Sequence, residues 1–561
     1  MLRRSLRVVL VLEMAACSTT PGGAGGASPS DAGPTDGTTH AETSAPDAPA
    51  DALRDASVDS VTSDVAPPVD AAADVPNVPD AAAATLAHAR ADSAVEAMLL
   101  AYWDPSSAYL DATQGATGLT GYWTFAQAWD AVLDAVQRHG DQRFTGTLRT
   151  FYDCQDAAGW SSDYYDDETW MTLALVRAFD LTADATYLTQ AESLYADIMA
   201  AWDTTCCGAT PGGIWWDRAH TQKATASNAG PVLAGARLYE RTQNQTYLTF
   251  AQQAYAYWSA SMVDPTSYHV YDHISSAGAL NTTWTFTYNE GLMIGACVEL
   301  AKASGTTAPL QLATSIAGFV QTGETESSAA GLILTDGSDT SCTGDCEQFK
   351  GIAARYLAAL YAAEPSQTQV LGLVDRSADA AWTIARDPSS GLFGADWGAP
   401  FASPALLDAT SSAAMTLAVA AELQGPAPPD APNVYEAEEG VLHDVGLEAT
   451  YGAFDGWGYV AGWNADGQWV DFLVTAPSAG TYDLTFRYAA GAGDASRYLY
   501  VDGATAVQNL ALASTTAWDD YATATATVAL TAGANTVSLI YDSSMGSTGY
   551  VNLDQLVVAP H

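Results

Sequence analysis

Two aspartates stand side by side in Ser161-Ser-Asp-Tyr-Tyr-Asp-Asp-Glu-Thr-Trp170. The residues from Asp166 to Leu181 are apolar nearly all round, with Trp170, Met171, Leu173, Ala174, Leu175, Val176, Ala178 and Phe179 spread over every face. Such a helix is buried on all sides, so Asp166 and Asp167 open a buried helix. Adjacent helical residues diverge by about 100°, which sets their carboxyl groups roughly 5–6 Å apart. Two crowded carboxylates push each other's pKa values apart, so one holds a proton while the other ionises. At roughly 5–5.5 Å such a pair can cleave a glycosidic bond with retention; inversion needs a wider gap. The same acids also suit a helix N-terminus for structural reasons, through the dipole and the unpaired N–H groups there. Tyr164, Tyr165 and Trp170 add aromatic faces on which a sugar ring stacks.

Four further segments carry polar or aromatic groups into helices. Gly212-Gly-Ile-Trp-Trp-Asp217 is a glycine turn presenting Trp215 and Trp216. Lys223-Ala-Thr-Ala-Ser-Asn228 leads with a lysine and ends on Asn228. Thr287-Tyr-Asn-Glu-Gly291 opens a second buried-type helix with Tyr288, Asn289 and Glu290, and Phe349-Lys-Gly351 starts another with Phe349 and Lys350. Singly, each fits a helix cap or core packing. Together they predict one rim of helix starts lining one cleft.

The elements that position these groups are helices. Helical stretches are predicted near 86–103, 122–138, 142–153, 166–182, 184–202, 222–242, 244–262, 285–304, 308–322, 345–363, 367–386 and 404–422. Helices apolar all round alternate with one-sided ones, and Thr186-Tyr-Leu-Thr189 recurs as Thr246-Tyr-Leu-Thr249. A repeated pair of this kind predicts an all-α double ring, an (α/α)6 barrel over residues 85–423, with an open helical solenoid as the structural alternative.

In the segments Asp166-Asp-Glu-Thr-Trp170, Gly212-Gly-Ile-Trp-Trp216, Lys223 to Asn228, Tyr288-Asn-Glu-Gly291 and Phe349-Lys-Gly-Ile352, and in their order, the chain resembles glycoside hydrolase family 76, the endo-α-1,6-mannanases. The resemblance implies an (α/α)6 fold and retaining hydrolysis of α-1,6-linked mannose, with Asp166 as nucleophile, Asp167 as general acid/base and no cofactor for catalysis. Trp215, Trp216, Asn228, Tyr288, Asn289, Glu290, Phe349 and Lys350 are the expected substrate-binding residues. Glu290 departs from the family, which more often has Gln there. A mannan transglycosylase shares the covalent intermediate, and a non-catalytic glycan-binding surface protein remains the alternative from another class.

Beyond a Pro-rich linker, residues 424–432, the pattern changes to short alternating strands at 467–474, 480–488, 498–501, 522–530 and 535–541. Residues 433–561 are therefore predicted to form an all-β, jelly-roll-like sandwich. Tyr435-Glu-Ala-Glu438 and Asn552-Leu-Asp-Gln-Leu556 resemble carbohydrate-binding modules of families 6 and 35. That resemblance implies a structural Ca²⁺ on Glu436, Glu438 and Asp554, hard oxygen ligands suited to it. Tyr459, Trp518 and Asn552 are the expected glycan contacts of this module.

Arg3, Arg4 and Arg7 precede the apolar run Val8–Leu12 and then Met14-Ala-Ala-Cys17. Residues 1–17 thus read as an export signal, resembling a lipoprotein signal with Cys17 as the acylated residue, a plain secretory signal being the alternative. Residues 18–84 hold eleven acids and one base and read as a disordered tether. The protein is expected at the cell surface as an outer-membrane lipoprotein, or secreted, as a monomer touching membrane only through its lipid. The whole chain has 561 residues, 65 Asp+Glu against 20 Lys+Arg, and a net charge of −45. That charge argues against nucleic acid and against a polyanionic substrate, and suits a neutral polysaccharide such as α-mannan. Cys342 and Cys346 are close enough in sequence to pair, Cys154 could pair with Cys206 or Cys207, and Cys297 reads as a core thiol. No Cys or His spacing suggests zinc.

Overall fold

Six of the apolar helices pack side by side into a closed ring, and the rest of the N-terminal domain is built around them. The computed structural model describes residues 81–140, 143–207, 211–336 and 344–561; the expected signal with Cys17, nearly all of the expected tether, and Cys342 lie outside the described residues. The helices are α1 Ala81–Tyr102, α2 Tyr122–His139, α3 Thr145–Ala158, α4 Tyr165–Thr182, α5 Ala185–Ala200, α6 Ala226–Thr242, α7 Gln245–Ser261, α8 Thr287–Ser304, α9 Ala308–Gly323, α10 Phe349–Ala363, α11 Thr368–Thr383 and α12 Leu407–Gln424. Contacts run α2–α4–α6–α8–α10–α12 and back to α2, so the ring closes and the open solenoid is excluded. The odd-numbered helices lie outside, each against an inner neighbour.

Three boundaries differ from expectation. α1 starts at Ala81, inside the segment assigned to the tether, because Ala81 to Ala84 are the best helix formers available. Gln222–Ala224 is a strand paired with His273–Ser275, so α6 begins only at Ala226. Asp345–Gln348 is a 3₁₀ turn leading into α10. The repeated Thr-Tyr-Leu-Thr follows from capping: Asp184 and Asn244 accept hydrogen bonds from the N–H of Thr186 and Thr246, starting α5 and α7. Tyr187 and Tyr247 then turn into the core.

Inside the ring a buried ion cluster ties non-sequential helices. Asp134 of α2 accepts both terminal nitrogens of Arg355 (α10) at 2.6 Å and Nη2 of Arg177 (α4) at 2.7 Å. Asp130 pairs with the same two arginines. With every carboxylate matched by planar guanidinium donors, the cluster fixes which helices face each other.

Residues from Val434 onward form two packed sheets. The strands are β1 Val434–Glu436, β2 Val441–His443, β3 Gly446–Glu448, β4 Tyr459–Ala461, β5 Trp469–Ala476, β6 Gly480–Ala489, β7 Ala495–Val501, β8 Ala504–Leu512, β9 Ala522–Leu530, β10 Gly533–Ile540 and β11 Asn552–Pro560. One sheet runs β9-β6-β11-β4-β3 with β1 on β11; the other runs β8-β7-β10-β5-β2. Alternating inward residues such as Val470, Phe472 and Val474 of β5 meet Leu484 and Phe486 of β6 in the core.

The sandwich is docked on the barrel. Glu439 accepts from Arg143 Nη2 at 2.6 Å and from the N–H of Phe144, and Leu442 N donates to Thr150 Oγ1 at 3.0 Å. The linker is pinned too, through His88 to Gly425 O and His139 to Asp430.

Two glycines let inner helices approach. A Cβ on Gly291 would lie 2.7 Å from Ala353 Cα, and one on Gly351 would lie 2.7 Å from Ser412 Cα. Neither backbone can yield cheaply. Gly351→Ala should cost about 1–3 kcal/mol through overpacking. Gly318→Ala on exposed α9, where nothing lies within 4 Å, should stabilise by roughly 0.5–1 kcal/mol. Thermal melts of both variants check this; equal effects would contradict the close-packed ring.

Candidate active site

Because the inner helices α2, α4, α6, α8, α10 and α12 all run the same way, their first turns share one rim. Asp166 and Asp167 occupy the first turn of α4. The segment before α4 is held by the glycine turn: Tyr165 N donates to Trp216 O at 2.8 Å, and Arg218 N donates to Asp163 O at 2.9 Å. This pairing delivers Trp216, whose Nε1 donates to Asp166 Oδ2 at 3.1 Å, with Tyr164 packed against its ring at 4.7 Å. Asp167 Oδ2 accepts from Ser162 Oγ at 2.7 Å.

Electrostatics sets the two carboxyls apart. Burial pushes Asp166 up to about 7, only partly offset by the Trp216 N–H and by backbone N–H groups at the helix start. Burial and then the charge of Asp166 push Asp167 well above its ordinary value, with Asp345 and Glu168 adding to it and Ser162 opposing. Both carboxyls are raised and each opposes ionisation of the other, an environment that favours one proton between the two near neutral pH. An acid beside a carboxylate can protonate a leaving oxygen and stabilise, or attack, the carbon it leaves.

Aromatic groups make the other side of the rim. Phe349 stacks on Tyr288 at 4.0 Å and meets Phe286 at 5.3 Å. Tyr288 donates to Asp272 Oδ2 at 3.0 Å, and Asp166 lies near enough to raise the Tyr288 phenol further. Trp123 of α2 donates to Asp345 Oδ1 at 3.1 Å.

Of the expected site residues, Asp166, Asp167, Trp216, Tyr288 and Phe349 come together on this rim. Five others do not reach it. Asn228 is fully buried; its amide donates to the carbonyls of Ile214 and Ala224 and accepts from Ile214 N, so it braces the glycine turn. Asn289 is buried and donates to Asp272. Glu290 is buried, accepts from Val270 N at 2.7 Å, and is pushed up to about 8 by burial. Lys350 is buried beside Asp336 and the Trp397 ring. Trp215 is 8% exposed, stacked on His220 with the Lys223 ammonium over its face. The sequence reading missed Ser162, Asp272, Asp345 and the Glu168–Arg218 pair; of these only Ser162 and Glu168 lie inside the quoted segment Ser161–Trp170.

In the sandwich, Tyr459 is wholly buried with its hydroxyl between Tyr451 N and Glu448, and Asn552 is buried in β11 opposite Ala489. Both are core positions instead of loop contacts. Trp518 stays half-exposed, stacked near Tyr451. Among the described residues no three His, Cys, Asp or Glu side chains are grouped to hold a metal ion. Asp554, expected as a third ligand, has Oδ1 taken by Asp455 N and Oδ2 by Arg487. Glu436 and Glu438 do meet around Gly456, and each has an Oε2 buried without a hydrogen-bond partner.

The sequence signature of Glycosyl hydrolase family 76 matches residues 87–428, and that of the family 35 carbohydrate binding module matches 433–561. Among solved structures, the α-1,6-mannanase of Salegentibacter sp. matches with a TM-score of 0.56 and 24% identity, over 60% of this chain and 99% of its own. An inactive variant of that mannanase, with two consecutive aspartates changed to asparagine, is solved with α-1,6-mannotriose. These likenesses establish the fold. A mannan endo-1,6-alpha-mannosidase of Candida glabrata is 26% identical over 210 residues, 33% of this chain and 46% of that protein. An isomaltosyltransferase of Sporosarcina globispora is 42% identical over 126 residues, 22% of this chain and 11% of that protein. The chain thus spans about a tenth to about half of these curated relatives' length.

A buried acid with a raised pKa favours the fold while protonated and loses that contribution as pH rises through its folded value, here about 7 for Asp166. Asp166→Asn should therefore melt higher relative to the parent at pH 8.5 than at pH 5, the gap widening by about 2–4 °C. A gap unchanged with pH would show that Asp166 titrates normally.

Proposed function

The chain belongs to glycosyl hydrolase family 76, and from that premise we propose that it is a retaining endo-α-1,6-mannanase whose nucleophile is Asp166 and whose general acid/base is Asp167. The observation that carries the assignment is geometric: two adjacent carboxyls in the first turn of α4, Asp166 held by Trp216 Nε1 and Asp167 by Ser162 Oγ, beside the rim aromatics. Asp166 attacks the anomeric carbon as Asp167 protonates the departing glycosidic oxygen. Trp216 Nε1 donates to Asp166 Oδ2 and so orients the attacking carboxylate. The mannosyl ester on Asp166 is then opened by water, whose proton Asp167 accepts, restoring the pair with retained configuration. Trp216 and Tyr288, the half-buried aromatics of the rim, supply faces for sugar rings, with Phe349 stacked behind Tyr288. Asp345 and Asp272 at the same rim disfavour uronates and other anionic sugars.

The enzyme incubated with linear α-1,6-mannan should release short oligosaccharides whose first-formed reducing ends are α-anomers by proton NMR. Asp166→Asn and Asp167→Asn should each lower kcat at least about 10³-fold with the fold intact. First-formed β-anomers would contradict the nucleophile. Products longer than the starting oligosaccharides would mark a transglycosylase.

The sandwich is a family 35 carbohydrate-binding module, which on this reading holds the enzyme on polymeric mannan. Glu436 is pushed up to about 7, first by burial and then by Glu439 and Asp554 against the Gln555 amide; Glu438 is pushed well above its ordinary value by burial and then by Glu436 and Glu439. Their unpartnered oxygens are hard donors fit for Ca²⁺, which would neutralise this pair. Chelation should lower the melting temperature of the full chain, since an ion at 100 times its Kd stabilises by about 2.7 kcal/mol. Glu436→Gln with Glu438→Gln should abolish the response; identical melts with chelator and excess Ca²⁺ would remove the ion.

A further inference from the structure

We propose that Ser162 is a positioning residue for the general acid/base, fixing Asp167 so that its proton resides on Oδ1 and faces the glycosidic oxygen; this rests on the reading of Asp167 given above. Every polar group of Ser162 is engaged. Its N–H donates to Glu168 Oε1 at 3.1 Å, and its carbonyl accepts from Arg218 Nε at 2.7 Å. Its hydroxyl oxygen accepts from Tyr164 N at 3.1 Å. With that N–H pointing at the oxygen, the hydroxyl's own hydrogen is directed to Asp167 Oδ2, 2.7 Å away.

The serine is held in turn. Arg218 Nη2 lies 2.5 Å from Glu168 Oε1 and 2.5 Å from Asp197 Oδ2, and its guanidinium covers the Tyr165 ring at 4.7 Å. Glu168 and Arg218 thus clamp both backbone groups of Ser162. Neither hydrogen-bonds Asp167; both hold the serine, while the charge of Glu168 also bears on Asp167 directly. Orientation is needed because Asp167 must serve twice, first giving a proton and then taking one from water. A hydroxyl fixed on Oδ2 keeps both transfers on Oδ1.

The hydroxyl also opposes the groups that hold the proton on. Around Asp167 stand Asp166 and Glu168 from α4, Asp345 before α10, and the phenols of Tyr164, Tyr122 and Tyr109. Against these acids the Ser162 hydroxyl is a side-chain donor bonded directly to Asp167, and it stabilises the ionised form needed in the second step.

The test compares Ser162→Ala with Ser162→Thr in the full chain. Alanine removes the donor, so Asp167 should titrate about one pH unit higher. Infrared difference spectra read the titration directly, the Asp167 band being identified by its loss in Asp167→Asn. On α-1,6-mannan the alkaline limb of kcat/KM should move up by the same amount, and kcat should fall about 10-fold or more with KM within about 2-fold. Threonine, which keeps the hydroxyl, should restore both. An Asp167 band that titrates identically in Ser162→Ala and the parent overturns the proposal whatever the activity. A shifted band in an enzyme that leaves mannan uncut would instead support the hydrogen bond and overturn the mannanase reading.

Discussion

Desolvation of two neighbouring carboxyl groups is the constraint on which the rest depends. In water Asp166 and Asp167 would both ionise and be equivalent. On the rim of a closed helical ring they cannot, because each charge is poorly solvated and each faces the other. The ring is what makes this environment. Its inner helices are apolar all round, their glycines let α8, α10 and α12 come close, and the Asp130–Asp134–Arg177–Arg355 cluster ties α2 to α4 and α10. Six parallel helix N-termini then surround the rim, and their partial positive charge tolerates acids there.

The helical plan was legible because its signal is long-range and redundant. Twelve helices alternate between two compositions, and their boundaries moved by only a few residues. The adjacent aspartates were legible because carboxyls at the start of a buried helix are costly unless used. Side-chain direction within each first turn was much less so. Successive helical residues point about 100° apart, so Tyr288 reaches the rim while Asn289 and Glu290 turn into the wall. Phe349 and Lys350 divide in the same way. In the extended glycine turn neighbours alternate: Trp216 meets Asp166, and Trp215 faces Lys223 and His220. The Glu290 departure also resolves physically. Burial raises the Glu290 carboxyl, and a protonated carboxyl has nearly the shape of the glutamine amide more often found there, with one donor hydrogen in place of two.

The β-strand pattern located the sandwich, but not its attachment. Tyr435-Glu-Ala-Glu-Glu439 reads as a module's first strand, yet it serves two sides. Glu438 takes the N–H groups of Trp457 and Gly458 within the module, while Glu439 takes Arg143 and Phe144 N from the barrel. Glu438 and Glu439 lie in the 3₁₀ turn Ala437–Glu439, where successive residues point about 120° apart, so one acid faces the module and the next the interface. The Pro-rich linker does not leave the two apart: the contacts of Glu439, Leu442 and Asp430 dock the module on the barrel. Tyr459 and Asn552 fall in strands with buried side chains, and aromatic and amide residues near strand ends look alike in sequence whether they line a loop or close a core.

The central claim is that one of two adjacent acids becomes the covalent partner of the sugar. Trapping that ester is the most direct measurement: incubation with a fluorinated α-1,6-mannobiosyl fluoride, which forms the intermediate quickly and releases it slowly, followed by peptide mass spectrometry. The account predicts a glycosyl mass on Asp166 in the parent and none in Asp166→Asn. A label on Asp167, or an enzyme that turns over mannan while never carrying one, would contradict it.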